Sequence, residues 1–362
     1  MLIGATLGRY FSAKFLQAIM LVFGTVFVLV YTLDFVELMR RAGDVEGASA
    51  GAMARLALFR TPAVAEQVLP FAILFGSMGA LLQLSRKLEL VVARAAGISA
   101  WQFLQPGLLV AILIGAGTVT VYNPVSAHLK ARAVETEARI FARSQRATAG
   151  KDTWLRQVGV DGQAIIRAAA ALDQSTTLTG ITIFTFDAAG AFEERIEARE
   201  AVLRDGYWEL KDARVLAIAT EPQSYGTYLL ASNLEPAQIR KTFTPPESVP
   251  FWDLNDTIAQ TERAGLDATR YRLQYDVLLA RPLLFVAMVF VAASFSLRFF
   301  RFGGVARMVL SGVAAGFVLY VATQLMEDLG TSGMVRPSVA AWFPAVVGTL
   351  LGTLALLHQE DG

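Results

Sequence analysis

Six long runs of uncharged, mostly apolar residues constrain the fold of this chain more than any other feature of its sequence. They occupy residues 15–33, 67–85, 95–127, 282–297, 308–326 and 337–357. A helix that crosses the hydrocarbon core of a bilayer needs about 20 such residues. The fourth run is shorter, but the preceding "RYRLQYDVLLA" has helical apolar spacing and can extend it. The runs therefore predict six transmembrane helices.

The composition of the 362 residues agrees with a membrane protein. Hydrophobic residues make up 54% of the chain and charged residues 17%, and the mean hydropathy is +0.47. A soluble domain of this length needs a more charged surface. The net charge is only +1, so bulk charge gives no reason to expect a nucleic acid as partner.

Between the third and fourth runs the sequence changes character. The segments "QAIIRAA", "LTGITIFTFD", "GYWELKDARVLAIA" and "GTYLLAS" are short and rich in β-forming residues, and turn material such as "DAAG", "RDG" and "EPQS" separates them. This pattern predicts an extramembrane all-β module, a sandwich or an open barrel. The predicted organisation is three spans in residues 1–128, the β module in 129–268 and three spans in 269–362.

Lysine and arginine in the short loops predict the orientation of the chain. Six spans place the N-terminus, the loops after spans two and four and the C-terminus on one side. Basic residues concentrate in these loops, which by the positive-inside rule predicts that this side is cytoplasmic. The β module then lies outside, which is the periplasm in a bacterium with two membranes. The basic residues are Arg9, Lys14, Arg86, Lys87, Arg94, Arg298, Arg301 and Arg307.

The loop "SRKLELVVARAAGIS", between the second and third runs, predicts a short amphipathic helix over about 86–97. Leu88, Val92 and Ala95 fall on one face of it. Gly97 fits the position after a helix C-cap, and Ser99 with Gln102 fits a capping box that opens the third span. Two interpretations remain open: a connector held in anionic headgroups, or a lever on which a soluble partner acts.

The sequence contains no nucleotide-binding motif and little catalytic chemistry. The pattern G-x-x-x-x-G-K-[ST] is absent, as are H-E-x-x-H and cysteine, and there are only two histidines. Energy for any transport must therefore come from a partner or an ion gradient. Glu66, Asp276 and Glu327 lie at span edges and leave a proton-coupled route open, although such relays need several ionisable groups inside one bundle.

Two pairs of basic residues are candidates for binding lipid phosphate. Arg40 and Arg41 follow the first run, and Lys130 and Arg132 follow the third. Their guanidinium and ammonium groups could hold headgroup phosphates. The alternative is that they are solvated side chains that reach to the interface beside the apolar spans.

Apolar faces on the first and fifth spans are compatible with a cavity for acyl chains. Phe23 and Phe27 lie on the first span, and Phe317 and Tyr320 lie on the fifth. Such faces usually contact lipid or neighbouring helices. The glycine pairs at 312 and 316 and at 348 and 352 permit close helix approach, so a packing role is expected for them.

Four segments together resemble one known family. They are "ELVVARAAGIS", "DFVELMRRAG", "AGLDATRYRLQY" and "GFVLYVATQLMEDLG". In this order, and with a β module between two sets of three spans, the chain resembles the LptF/LptG family of lipopolysaccharide export permeases over nearly its whole length.

The resemblance implies a fold, a set of partners and a source of energy. In that family two paralogous permeases pair above two copies of a cytoplasmic ATPase, LptB, which binds the ATP and Mg²⁺. Lipopolysaccharide leaves the outer leaflet of the inner membrane and passes to a periplasmic bridge formed by LptC and LptA. The inserted module is a β-jellyroll. The chain itself would hold no cofactor and would not be an enzyme.

The resemblance also implies roles for particular residues. The segment 88–96 matches the coupling helix that docks on the ATPase, with Glu89 at the acidic position and Leu88, Val92 and Arg94 beside it. Arg40, Arg41, Lys130 and Arg132 would hold the lipid headgroup, and Phe23, Phe27, Phe317 and Tyr320 would line the cavity and its gates. One departure is Asp34, an acid at a position where family members can carry a basic residue. It would repel phosphate unless an arginine pairs with it.

The choice between the two paralogues, and alternatives to a transport role, remain open at this point. The chain could be either of the two paralogues, a non-transporting scaffold whose β module recruits envelope partners, or a membrane-embedded enzyme that modifies lipids.

Overall fold

The computed structural model of the chain describes residues 4–43, 49–145, 153–159, 162–172, 177–187, 190–217, 221–232, 245–263, 267–302 and 305–360. In these parts of the chain, six helices are long and apolar enough to cross a membrane, and each contains most of one uncharged run. The prediction of six spans is confirmed. The helices are α1 (Ala5–Ala42), α2 (Ala50–Arg86), α3 (Glu89–Ala95), α4 (Ala100–Gly117), α5 (Asn123–Gln145), α6 (Phe251–Arg263), α7 (Thr269–Phe302), α8 (Val305–Thr331) and α9 (Pro337–Glu360).

The chain divides into two compact units. The helical unit comprises residues 1–135, 247–252 and 269–362, and the β unit comprises residues 136–246 and 253–268. The spans are α1, α2, the continuous helix from α4 into α5, α7, α8 and α9. The prediction of spans on both sides of an inserted β module is confirmed.

The core of the helical unit is built from apolar side chains of α1, α2, α4 and α7, including Phe11, Phe15, Phe103 and Phe285. Helices approach closely where one of them carries glycine. A Cβ atom added to Gly76 on α2 would lie 2.5 Å from the Cα atom of Ile19 on α1, so only glycine fits there. The absence of a side chain therefore sets the distance between these two helices.

The glycine pairs of the fifth and sixth spans have the packing role that the sequence predicted. A Cβ atom on Gly316 of α8 would lie 2.2 Å from Cδ2 of Leu74 on α2, and one on Gly352 of α9 would lie 2.6 Å from Cβ of Phe290 on α7. Gly312 and Gly348 meet Met78 and Leu319 in the same way.

The helix of the third span continues through Pro124. A π-helical turn, Thr118–Tyr122, joins α4 to α5, and the helix runs on to Gln145. Pro124 has no N–H to donate to the carbonyl of Thr120 four residues earlier. The indole N–H of Trp252 donates to that carbonyl instead, at 3.2 Å.

In the described residues of the β unit, six strands form one antiparallel sheet in chain order. They are β1 (Thr153–Gly159), β2 (Gly162–Leu172), β3 (Thr177–Phe186), β4 (Phe192–Arg204), β5 (Tyr207–Ala217) and β6 (Gln223–Ala231). Alternate residues of neighbouring strands, among them Ile166, Ile183, Ile196 and Trp208, form a buried apolar face. Strands β2, β3, β5 and β6 were predicted from the sequence; β1, β4 and helix α6 were not.

The sheet curls so that its two edge strands meet. Gln157 on β1 donates to the carbonyl of Ala231 at the end of β6, at 3.1 Å. Its side-chain oxygen accepts from the Trp208 indole at 3.3 Å and from the Ser232 hydroxyl at 2.9 Å. One buried amide therefore fixes the closed end of the sheet, with both its N–H and its oxygen satisfied.

The glycine contact between α1 and α2 gives a testable prediction for stability. Gly76→Ala should lower the melting temperature of the purified protein in detergent, since its Cβ meets backbone, and overpacking of this kind costs about 1–3 kcal/mol. The matched control is Gly79→Ala on the same helix, where a Cβ meets nothing within 4 Å. Equal melting temperatures for the two variants would contradict the role of Gly76.

Candidate functional site

Helix α3 is a short helix whose two ends are fixed by backbone conformation. Leu88, which precedes it, adopts a left-handed conformation with φ of 61°, and Gly97, which follows it, has φ of 81°. The N–H groups of Gly97 and Ile98 bond to the carbonyls of Arg94 and Ala93, which is a Schellman motif. The predicted C-terminal glycine and the Ser99–Gln102 capping box are both confirmed.

The apolar residues of α3 divide between a buried and an exposed face. Leu90 is 4% exposed and belongs to the helical core, whereas Leu88 and Val92 are 59% and 66% exposed. Val91, Arg94 and Ala95 are exposed as well. The face predicted from spacing therefore points away from the chain, and α3 presents an apolar surface that its own bundle does not cover.

The carboxylate of Glu89 is directed toward α1 instead of lying with this exposed face. The hydroxyl of Tyr10 donates to its Oε1 atom at 3.1 Å. Its Oε2 atom is buried and has no hydrogen-bond partner among the described residues. The ammonium group of Lys14 lies 5.5 Å from the centre of the Tyr10 ring. Tyr10 and Glu89 are 79 positions apart in the sequence, so no local signal predicts this contact.

The two predicted groups of basic residues have acidic partners within the chain. Arg40 and Arg41 share the carboxylate of Glu37, with N–O distances of 2.9 and 2.8 Å, and both remain exposed. One carboxylate against two guanidinium groups leaves one positive charge. Asp34 pairs with Arg60 at 3.5 Å, which supplies the arginine that this acid needs near a phosphate.

The second basic pair lies on α5. The ammonium group of Lys130 bonds to Glu247 at 2.9 Å, and Arg132 is an exposed side chain on the same helix. Lys130 therefore has its own carboxylate partner, on the segment that returns from the β unit to the helical unit.

A cleft of about 280 Å³ with both apolar and charged lining opens among α2, α7, α8 and α9. Its lining includes the acids Glu66 and Glu327 with Arg281, and also the predicted gate residue Tyr320. Glu66 lies on α2 about 20 residues before Arg86. About 20 residues of α-helix span about 30 Å along the helix axis, so the cleft lies at the end of the helical unit opposite α3.

A buried ion pair lies at the back of the cleft. Arg281 bonds directly to Glu66, and their side chains are 12% and 5% exposed. Asn123 donates to the same carboxylate at 3.0 Å and accepts from the backbone N–H of Phe251 at 3.0 Å. The pair thus joins α2, α5 and α7. Sequence reasoning noted Glu66 but missed Arg281, which stands next to the start of an uncharged run.

The predicted cavity residues lie on the two least buried spans. In the most apolar stretches of α1 and α8, 6% and 11% of the residues are buried within the chain, against 67% for α2. Phe23 contacts Phe27 and Tyr122, with ring centroids 6.1 and 6.0 Å apart. Phe317 is exposed, and Tyr320 contacts Phe71 on α2 at 5.0 Å. Both spans therefore present apolar surface to something outside this chain.

The arrangement of the described side chains gives little support for a catalytic or metal-binding site. The sequence contains one G-x-S-x-G pattern, at residues 47–51, a spacing found at hydrolase nucleophiles. Ser49 in fact caps α2, accepting from the backbone N–H of Ala52 at 3.2 Å. Among the described residues, no group of three or more His, Cys, Asp or Glu could hold a metal ion.

Comparison with known proteins identifies related chains over the whole length. The family model described as "Lipopolysaccharide export system permease LptF/LptG" matches residues 9–358. The lipopolysaccharide export system permease protein LptG of Escherichia coli K12 is 23% identical over 363 aligned positions, which cover 98% of each chain. The protein of the same name from Haemophilus influenzae is 23% identical over 357 positions. These cover 97% of this chain and 96% of the Haemophilus influenzae protein.

The buried ion pair gives a prediction for stability. Arg281→Met leaves the Glu66 carboxylate buried without its charge partner, which typically costs about 3–5 kcal/mol. The expected result is a clear drop in the melting temperature of the purified protein. Adding Glu66→Gln to that variant should recover most of the loss, because the buried charge is then gone. A double variant no more stable than Arg281→Met would contradict this account.

Proposed function

The chain belongs to the LptF/LptG family of lipopolysaccharide export permeases, and on that premise we propose that it is the LptG-type subunit of an exporter driven by a separate ATPase. The exporter would extract lipopolysaccharide from the outer leaflet of a bacterial inner membrane. It would pass the lipid to a periplasmic bridge. The chain is a multi-pass membrane protein.

The exposed apolar face of α3 is the observation that carries the proposal. The chain has no P-loop motif, so the energy must be delivered to it. The face formed by Leu88, Val91 and Val92 is exposed, and the helix behind it is fixed at both ends and anchored by Leu90 in the core. A rigid apolar projection of this kind suits docking into a groove of another protein. We assign that protein as an LptB-type ATPase dimer, which binds the ATP and Mg²⁺.

The proposed orientation places α3 in the cytoplasm. Basic residues concentrate around α3 and at the adjoining ends of α7 and α8. The β unit then lies in the periplasm, because it follows an odd number of spans. In this position it could meet the bridge components LptC and LptA.

The assignment as LptG, with LptF as the paired permease, rests on resemblance. Both relatives described above carry the name LptG, which favours this assignment. Each relative is 23% identical to the chain, so the paralogue LptF is the alternative assignment.

Spans α1 and α8 are the proposed walls of the lipid cavity. They are the two least buried spans, and their exposed apolar surface can face acyl chains or the second permease. Phe23, Phe27, Phe317 and Tyr320 belong to this surface in the proposal. ATP-driven closure of the ATPase would displace α3, bring the walls together and move the lipid toward the β unit.

Arg40 and Arg41 are the proposed headgroup contacts on this chain. They are exposed, lie at the end of α1 opposite α3, and carry one positive charge beyond what Glu37 neutralises. A headgroup phosphate can bind guanidinium in the same bidentate manner as the carboxylate does. Lys130 and Arg132 would complete the basic rim, with Lys130 exchanging Glu247 for phosphate.

Docking of the ATPase can be tested at Leu88. Leu88→Asp should reduce the amount of ATPase subunit that copurifies from membranes at least about tenfold, since it places a charge in a desolvated contact. Aspartate tolerates the left-handed backbone of this position better than leucine does, so the fold is preserved. Leu229→Asp, at a similarly exposed leucine of β6, is the matched control. Normal copurification with Leu88→Asp would remove the docking assignment.

Headgroup binding can be tested by charge reversal. The double variant Arg40→Glu, Arg41→Glu should lower the lipopolysaccharide bound to the purified complex several-fold, because three carboxylates would then repel phosphate. Mass spectrometry of the extracted lipid gives the amount, and the ATPase subunit should still copurify. The control is Arg199→Glu, Arg204→Glu, two exposed arginines of β4 that also pair with acids. An unchanged lipid content in the first variant would exclude the assignment.

A further inference from the structure

We propose that the cleft among α2, α7, α8 and α9 is a binding site for an organic ammonium group, with the carboxylate of Glu327 as its counter-ion. The residues that line the cleft all belong to the helical unit. The site lies at the end of that unit opposite α3, so it is independent of the docking proposed for α3.

Close helix packing on both sides of the cleft keeps it open. On one side, a Cβ atom added to Gly316 of α8 would lie 2.2 Å from Cδ2 of Leu74 on α2. On the other side, a Cβ atom added to Gly330 of α8 would lie 2.8 Å from the Cβ atom of Ala340 on α9. The part of α8 that lines the cleft, residues 320–327, lies between these two contacts. The cleft therefore cannot close without disturbing one of them.

The charges that line the cleft leave one carboxylate unbalanced. Glu66 is paired with Arg281, and Glu247 is paired with Lys130. Glu327 is half-buried and forms neither a hydrogen bond nor an ion pair with another described residue. Arg281 attracts it electrostatically but is already bonded to Glu66. Since an ionisable side chain in a spanning helix is costly without a partner, the geometry favours a cation from outside the chain.

The polar lining suits an ammonium group better than a metal ion. Among the described residues, no group of three or more His, Cys, Asp or Glu could hold a metal, whereas Ca²⁺ and Mg²⁺ take six or more oxygen ligands. An ammonium group has three N–H bonds, which can reach Glu327 and the side-chain oxygens of Gln274 and Thr323. The ring of Tyr320, packed on Phe71 with centroids 5.0 Å apart, adds an aromatic face for a cation.

The apolar lining provides a surface for the carbon part of the ligand. Pro70 of α2, Leu284 and Met288 of α7 and Pro344 of α9 contribute to it. The volume of about 280 Å³ is small for a ligand pocket, so the occupant is a small amine or an amine at the end of a larger molecule. Two sources supply this chemistry: the amine of a lipid headgroup, or a free soluble amine.

The probe is hexylammonium, with hexanol as its uncharged match. Calorimetric titration of the full chain in phosphatidylcholine nanodiscs should show at least about tenfold tighter binding of hexylammonium, because only the cation gains the charge pair. Glu327→Gln should abolish this preference. Asp328→Asn is the matched control, since Asp328 is the adjacent acid on α8, is exposed and does not line the cleft.

The composition of the nanodisc distinguishes the two sources. Phosphatidylethanolamine carries a primary ammonium group, and phosphatidylcholine has no N–H to donate. A lipid ligand should compete with hexylammonium, so the apparent affinity would be lower in phosphatidylethanolamine. Equal affinity in the two lipids would identify a soluble amine, and both results support the ammonium site.

Two results would overturn the proposal. One is binding of hexylammonium no tighter than that of hexanol, a comparison that needs no variant of the chain. The other is a preference for hexylammonium that Glu327→Gln leaves unchanged. Neither result bears on ATPase docking, which is tested separately at Leu88.

Discussion

The absence of water inside a bilayer is the constraint on which this structure depends. Six helices satisfy their backbone groups internally, and the charged side chains among them must find partners within the bundle. The pair of Glu66 and Arg281 meets that requirement, and Asn123 extends it to the return segment at Phe251. The same network joins three spans at the end of the bundle where the chain leaves for the β unit and returns from it. Where Pro124 frees a carbonyl, the Trp252 indole satisfies it.

The opposite end of the bundle carries an exposed apolar helix instead of a buried polar network. Here α3 is short, fixed at both ends and apolar on the side that its own chain leaves uncovered. Its one acidic side chain points back to α1 and not outward. Leu90 anchors the helix behind this exposed face in the helical core. The most apolar stretches of α1 and α8 are the least buried within the chain, so these spans offer the most surface to lipid or to a second subunit.

Features encoded locally were predictable from the sequence, and long-range pairs were not. The lengths of the uncharged runs predicted the six spans. Residue types at fixed spacing predicted the Ser99–Gln102 capping box and the glycine, Gly97, that ends α3. Strand β4 was not predicted because charged residues interrupt the apolar alternation in "FEERIEAREAVLR". Arg281 and Tyr10 meet partners 215 and 79 residues away, so only the fold brings them together. The roles assigned to the headgroup and cavity residues stay predictions.

In the proposed mechanism, an external ATPase drives this permease by binding α3 on the cytoplasmic side. The chain has no cysteine, so Val92→Cys introduces a unique thiol on the exposed face. Treatment of native membranes with a short bifunctional thiol reagent, followed by identification of the product, tests the claim most directly. The account predicts a crosslink to the ATPase subunit and protection of the thiol from impermeant reagents added to intact spheroplasts. Labelling of that thiol from the periplasmic side would contradict it.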